Sequence, residues 1–262
     1  MNFIEYIILG AIQGITEFLP ISSSGHLLIG RSLFNLNAGI SGSFIEIFLH
    51  GGTLLSILLY WRKDLIIDIK EIFNGEYRSF YNIIIGTIPA AIIGLLFKDR
   101  IDSYLFNVDN IHYLSLSYFL LAIILLLTKK NNSRSDNQIV LKYAFIIGVA
   151  QSFAIIPGIS RAGITIATAL YIGINRKNST KFSFMLAIPI LFVSFFGSLL
   201  QNYSLFTQSF LFWPLIVGFL SSFIIGYLTI GFLVNVINTN KLWYFSIYCL
   251  CLSFILIYYN GI

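Results

Sequence analysis

The chain has 262 residues, of which 57% are hydrophobic and only 10% charged, and its mean hydropathy is +0.86. A soluble domain covers its surface with about 25% charged residues, so this composition excludes a soluble enzyme, a disordered tail and a nucleic-acid binder and leaves an all-α, polytopic membrane protein. The net charge of +5 is therefore informative through its placement in loops.

In chain order, apolar stretches fall at 3–19, 26–36, 44–61, 82–97, 113–128, 142–156, 163–173, 182–200, 211–235 and 243–259. A crossing needs about 20 apolar residues. Six stretches approach that length: 44–61, 82–97, 113–128, 182–200, 211–235 and 243–259. The other four form two pairs, each interrupted by a polar break: Pro-Ile-Ser-Ser-Ser-Gly-His after residue 19, and Pro-Gly-Ile-Ser-Arg-Ala-Gly after residue 156. Each pair is too short for two crossings and is predicted to be a re-entrant hairpin. Such backbone is tolerated at membrane depth only where protein or a hydrated cavity surrounds it. The segments 62–81, 98–109 and 131–137 read as loops and connectors, and His112 as a loop residue. Trp61, Trp213 and Trp243 lie near span ends, where interfacial anchors are expected. Cys249 and Cys251, two apart on one helix, point in divergent directions and are not expected to pair.

The halves resemble each other. Residues 1–128 and 142–262 each carry one hairpin followed by three spans, within a single membrane domain of residues 1–262. Gln13 precedes Pro20 as Gln151 precedes Pro157, and each proline has a serine three residues on, Ser23 and Ser160. Three crossings per half place the second half upside down, an inverted-topology repeat. With the N-terminus on one side, twelve Lys and Arg residues fall in the loops of the opposite side and only Lys98 and Arg100 on its own; Arg31 and Arg161 lie in the hairpins. The positive-inside rule makes the basic side cytoplasmic and puts both termini and the mouth of the first hairpin outside.

Polar groups at membrane depth are costly and mark functional sites. The first break gathers Gln13, Thr16, Glu17, Ser22, Ser23, Ser24 and His26, with Gln13 and Glu17 on one helix face. Pro20 ends the helix, and the serine run suits the start of the next. The second break supplies Pro157, Gly158, Ser160, Arg161 and Thr165. Arg161 needs a partner, either Glu17 or a bound phosphate, which guanidinium grips bidentately. Hydroxyls, a carboxylate, a His and an Arg around open helix starts are the parts that phosphoryl transfer uses. Glu46 and His50, one turn apart, either line the same cavity or form a helix-end pair.

The segments QGITEFLPISSSGH (13–26), FIEIFLHGGTLLSILLYW (44–61), AQSFAIIPGISRAGIT (150–165) and FSFMLAIP (182–189) closely resemble the undecaprenyl-diphosphatase (bacitracin-resistance) family, in order and across the whole chain. The resemblance implies a multi-pass enzyme of the bacterial plasma membrane. It removes the terminal phosphate of undecaprenyl diphosphate at the outer face and recycles the carrier for peptidoglycan synthesis. Bacitracin competes for that substrate, which gives the resistance phenotype. The family also implies a divalent cation, Mg or Ca, at an (E/Q)xxxE motif that falls on Gln13 and Glu17. Its PGxSRSxxT motif falls on Pro157, Gly158, Ser160, Arg161 and Thr165. Three residues depart from the family pattern: Gln13 where Glu is common, Ala162 where Ser is common, and Lys181 where an acidic residue precedes FSF.

The expected roles are catalysis by Glu17, Ser23, His26 and Arg161, phosphate binding by Ser22, Ser24, Gly158, Ser160 and Thr165, and metal binding by Glu17 with Gln13. The nucleophile is Ser23, a water it positions, or His26. The competing function class is a lipid-carrier flippase built on the same inverted repeat. Expected partners are the polyprenyl diphosphate and membrane lipid, with a second copy of the chain as a further candidate, and no nucleic acid.

Overall fold

The structure, a computed structural model, describes residues 3–33, 40–97, 113–130, 138–202 and 209–260. Arg31 as a side chain, the charged run from Lys98 to Asp109, His112 and the 131–137 connector lie outside the described residues. Eleven α-helices occur among the described residues: α1 (Phe3–Phe18), α2 (Ser23–Leu33), α3 (Ile40–Tyr60), α4 (Arg62–Phe73), α5 (Arg78–Leu96), α6 (Tyr113–Leu127), α7 (Leu141–Ser152), α8 (Arg161–Tyr171), α9 (Arg176–Gln201), α10 (Ser209–Asn238) and α11 (Phe245–Asn260). No strand is present among them.

Four helices carry apolar stretches long enough to cross a membrane: Arg78–Leu96, Arg176–Gln201, Phe212–Asn238 and Leu242–Tyr259. Ile45–Tyr60, Tyr113–Leu127 and Leu141–Ile155 are shorter apolar helices. The outer faces are apolar: Ile92, Leu96, Val193, Leu200, Leu228 and Phe254 are all exposed. The interior has an apolar core and also holds polar groups, among them Gln13, Glu17, Thr53, Ser56 and Ser222. Small hydroxyls tie one helix to the backbone of another: Ser222 Oγ donates to the Leu49 carbonyl (2.9 Å), Ser56 Oγ to that of Phe223 (2.8 Å) and Ser253 Oγ to that of Ser115 (2.7 Å). Such bonds replace the hydrophobic drive that lipid cannot supply between helices. This is a multi-pass membrane protein.

The two interrupted pairs are α1–α2 and α7–α8. The first arm of each packs on a span of the other half: α1 on α10, and α7 on α5. Glycines permit the close approach. A Cβ on Gly10 would lie 2.2 Å from the Gly218 carbonyl oxygen, and one on Gly148 would lie 2.4 Å from that of Gly86. The spans α3 and α9 pack together, as do α6 and α11.

Two expectations are corrected. The segment read as a loop at 62–81 contains α4, a helix with no buried residue. Ile66, Ile67, Ile69 and Phe73 are exposed on it, while Asp64 and Asp68 reach Lys181 of α9 at 3.1 and 3.5 Å. Its charges made it too polar for a span, but they alternate with apolar residues in an amphipathic pattern. Trp61, expected at the interface, is buried among Tyr60 and Phe184 in the main core. Trp213 is exposed, and Trp243 stacks on Tyr244 under the Lys129 ammonium. Cys249 is buried and Cys251 exposed, and both are free.

Candidate active site

The site is built where the two broken helices meet. At the first break, Pro20 has no N–H to continue α1, and Ser22 turns the chain with φ +66. Its Oγ accepts the Gly25 N–H (3.4 Å) at the start of α2 and the Gly158 N–H (3.1 Å) from the other break. At the second break, Ile159 N–H donates to the Ile156 carbonyl (2.9 Å) around Pro157 and Gly158. Gly158 has φ +82, as the third position of a type II turn requires. Ser160 then caps α8, its Oγ accepting the Gly163 N–H (3.1 Å) and donating to the Leu19 carbonyl (3.4 Å). Each break is thus held by a hydroxyl of its own and a backbone group of the other.

The capping roles pair Ser22 with Ser160, whereas counting from the prolines paired Ser23 with Ser160. Gln13 stands as far before Ser22 as Gln151 stands before Ser160; only the prolines are displaced by one place. Ser23 and Arg161 are consequently the first residues of α2 and α8. Both reach the same carboxylate. Arg161 Nη2 donates to Glu17 Oε1 at 2.7 Å, and Ser23 Oγ donates to Glu17 Oε2 at 2.7 Å. Gln13 Nε2 adds a bond to Oε2 at 3.1 Å. The guanidinium also donates to the Ser183 carbonyl (3.4 Å). Glu17 is nearly fully buried and Arg161 largely so. Two helix N-termini, an Arg and a hydroxyl converge on one negative charge, a constellation that suits any anion of similar size.

The remaining sequence candidates are placed as follows. Ser24 Oγ lies 3.3 Å from Ser22 Oγ. Thr165 Oγ1 donates to the Arg161 carbonyl (2.7 Å) and lies 2.6 Å from Ser183 Oγ. Gly158 lies against Ser117 and donates its N–H to Ser22. Ala162 is buried in the core. His26, on the Ser23 helix one turn on, is bonded elsewhere than Glu17. Its Nδ1 lies 2.7 Å from the Ser22 carbonyl oxygen and 3.0 Å from Tyr118 Oη, and its Nε2 lies 2.6 Å from Tyr248 Oη.

Three residues join the site that the motifs did not supply. His50 of α3 brings Nε2 to 3.5 Å from Glu17 Oε2, with its Nδ1 on the Glu46 carbonyl (2.7 Å). This favours the cavity-lining side of the Glu46–His50 alternative for His50. Ser183 supports Arg161 and Thr165, and Tyr248 meets His26. His50 stands one turn after Glu46 and Ser183 lies in the segment 182–189, so both carry a signal in the sequence; Tyr248 lies within an apolar run and carries none.

A divalent cation needs oxygen ligands. Around Glu17 the groups are mostly hydrogen-bond donors, and no group of three or more His, Cys, Asp or Glu that could hold a metal occurs among the described residues. One observation fits a cation: Gln13 Oε1 is buried with no hydrogen-bond partner, on the residue whose amide nitrogen already touches Glu17. Carboxylate and amide oxygens together with substrate phosphates are a set that Mg²⁺ accepts.

Comparison with known proteins identifies the family. Residues 6–255 match the family model described as "Bacitracin resistance protein BacA". The chain is 37% identical over 261 residues to "Undecaprenyl-diphosphatase 3" of Bacillus anthracis, covering 94% of each chain. It is 38% identical over 259 residues to "Undecaprenyl-diphosphatase 4" of Bacillus thuringiensis (strain Al Hakam), covering 98% of this chain and 97% of the relative. With the match running through both broken helices and every described span, the chain belongs to the bacitracin resistance protein BacA family.

Proposed function

We propose that this protein is an undecaprenyl-diphosphate phosphatase that releases the terminal phosphate of the lipid carrier. The observation that carries this reading is the convergence on Glu17 of Ser23 and Arg161, the first residues of two helices from opposite ends of the sequence. A diphosphate entering between the helix starts meets N–H dipoles and the Arg161 guanidinium. Ser23 Oγ, already donating to Glu17, attacks the terminal phosphorus while its proton passes to the carboxylate. The bond to the bridging oxygen breaks and undecaprenyl phosphate leaves. Water then attacks the phosphoserine with His26 accepting its proton, Ser23 recovers the proton from Glu17, and His26 releases its proton to solvent as phosphate departs. His26 suits the second step because it lies one turn from Ser23 on α2; a proton can reach its Nε2 through the hydroxyl bonded there, whereas a phosphoryl group cannot, which weighs against His26 as the phosphate acceptor. Ser24 contacts phosphate, and Ser22, Ser160, Gly158 and Thr165 hold the shape of the breaks.

Glu17 and Gln13 Oε1 would hold a Mg or Ca ion together with phosphate oxygens, and the ion would supply positive charge to the transferring group. The packing of α1 on α10 and of α7 on α5 supports an arrangement of two re-entrant hairpins and six spans as inverted repeats, residues 1–128 and 142–262. The basic loops orient it in the bacterial plasma membrane, both termini and the site mouth outward. In that setting bacitracin competes for the same diphosphate.

The test is phosphate release from undecaprenyl diphosphate by purified protein in detergent, with and without chelator. Wild type should release phosphate, whereas Glu17→Ala and Arg161→Ala should not. A pure flippase releases none. Ser23→Ala turning over at the wild-type rate, or phosphate trapped on another residue, would remove Ser23 as the nucleophile.

A further inference from the structure

His26 is gripped on both nitrogens, by the residue that caps its own helix and by two tyrosines from remote elements. Nδ1 lies 2.7 Å from the Ser22 carbonyl oxygen, which can only accept, so Nδ1 carries the hydrogen. In neutral imidazole that leaves Nε2 as the lone-pair nitrogen, and Tyr248 Oη is 2.6 Å from it. The two rings are parallel, centroids 5.7 Å apart with planes 13° apart. Tyr118 closes the other side, edge-on at 5.8 Å, its Oη 3.0 Å from Nδ1. Tyr118 is fully buried and fills the space in front of Gly25, where a Cβ would lie 2.4 Å from its hydroxyl. Its place in the packing accounts for it. Tyr248 is different. It is exposed, on the last helix, 222 residues from His26, and its hydroxyl occupies the one basic imidazole nitrogen.

We propose that Tyr248 positions His26 and relays the proton that His26 accepts. Its ring fixes the plane of the imidazole and its hydroxyl fixes the direction of Nε2. A phenol both donates and accepts. A proton can therefore reach Nε2 through the phenol: Tyr248 hands its hydrogen to Nε2 as it takes one from the attacking water, and then accepts from the imidazolium. The imidazole stays fixed through the whole hydrolytic step. The proposal rests on the phosphatase reading and on His26 serving in it.

The experiment is a double-mutant cycle on the full chain in detergent, reading phosphate release from undecaprenyl diphosphate. Tyr248→Phe keeps the stacked ring and removes only the hydroxyl. It should lower kcat by about tenfold with KM unchanged, His26→Ala should lower kcat by about 10²-fold or more, and the double variant should be no slower than His26→Ala alone. The chain has only 3 His, so the ¹⁵N-histidine spectrum is simple to assign. Tyr248→Phe should move the His26 Nε2 resonance and leave His50 and His112 in place. Losses that multiply in the double variant, an unmoved Nε2 resonance, or wild-type kcat in Tyr248→Phe would each overturn the proposal. Wild-type kcat in His26→Ala would overturn it too, by removing the group through which Tyr248 acts. The phosphatase reading fails separately, if wild type releases no phosphate or Glu17→Ala releases it normally.

Discussion

The two breaks share a backbone plan and divide the chemistry. Each interrupts an apolar helix near a proline, restarts on a serine cap, and sends its first arm against a span of the other half. Yet Glu17 stands one turn after Gln13, while Ile155 occupies the corresponding place after Gln151, and the residue after the cap is Ser23 in one break and Arg161 in the other. The first break holds the carboxylate, the hydroxyl and the histidine, and the second holds the positive charge. Neither is a site alone. Two copies of one scaffold can carry opposite halves of one reaction when their helix starts meet head to head, because each start already favours an anion.

The sharpest way to break this division is to remove the charge that only the second break supplies. Arg161→Ala should lower kcat/KM by at least about 10³-fold, the scale on which arginines stabilise phosphoryl transfer. It should also destabilise the protein by about 3–5 kcal/mol, because Glu17 would remain buried without its cation. Arg161→Lys should recover stability more than turnover. A lysine is a point charge and cannot serve the Glu17 carboxylate and the Ser183 carbonyl together as the guanidinium does. Kinetics and thermal unfolding of the two variants separate these effects.

The glutamines test the division at a finer level. Gln13 and Gln151 are both buried and both leave their side-chain oxygen unpartnered. The amide of Gln13 bonds Glu17, whereas that of Gln151 bonds the Gly86 carbonyl at 3.4 Å. Gln13→Ala should cost about tenfold in kcat/KM, the worth of a hydrogen bond to a charged group. Gln151→Ala should leave turnover near wild type and reduce stability by about 1 kcal/mol. Equal effects on turnover would mean that the two breaks are not divided as described.

How much of this could be read from the sequence differs between the breaks and their surroundings. The breaks were legible because polar residues in apolar helices are rare, so Glu17, Ser23 and Arg161 stood out before any contact was known. Their meeting followed from cost: an arginine at that depth demands an acid or a phosphate. The register of the repeat was off by one because prolines mark a break only approximately, whereas the caps Ser22 and Ser160 fix it. Tyr248 was illegible. It is one of 15 tyrosines in an apolar run, and nothing local says which of its neighbours lies across the bundle. His50 was half legible: spacing on one helix gives a direction relative to that helix, not the carboxylate it faces. The helix α4 is hard to read because its charges break the apolar run that marks the other helices.

A third perturbation strikes the scaffold equally in both halves. Gly10→Ala would drive a Cβ against the Gly218 carbonyl, and Gly148→Ala one against that of Gly86. Backbone atoms cannot yield as a side-chain tip can, so each should destabilise by about 1–3 kcal/mol, as overpacking does. Matched losses in thermal unfolding are expected. A tolerant Gly148 beside an intolerant Gly10 would show that the two hairpins are docked with unequal tightness.

The smallest effect belongs outside both breaks, at Lys181. The resemblance of the sequence implies that an acidic residue often stands there, and the reversal to Lys puts a site role near 181 in doubt. Lys181 Nζ lies 3.1 Å from Asp64 and 3.5 Å from Asp68 on α4, and the lysine and Asp64 are partly exposed. The ion pairs join α9 to α4 on the flank of the bundle, while Ser183, two residues on, faces Thr165 and Arg161. Opposite faces of one turn of α9 thus separate a surface contact from a site contact. Lys181→Ala should change stability by no more than about 1 kcal/mol, since partly hydrated pairs are weak and lose further strength in salt. Turnover should remain at the wild-type rate. Ser183→Ala should keep the fold but lower turnover, because the hydroxyl bonded to Thr165 is removed beside the arginine. Should Lys181→Ala instead slow phosphate release while Ser183→Ala does not, the site would extend along α9 toward α4, and the boundary drawn between residues 181 and 183 would be in the wrong place.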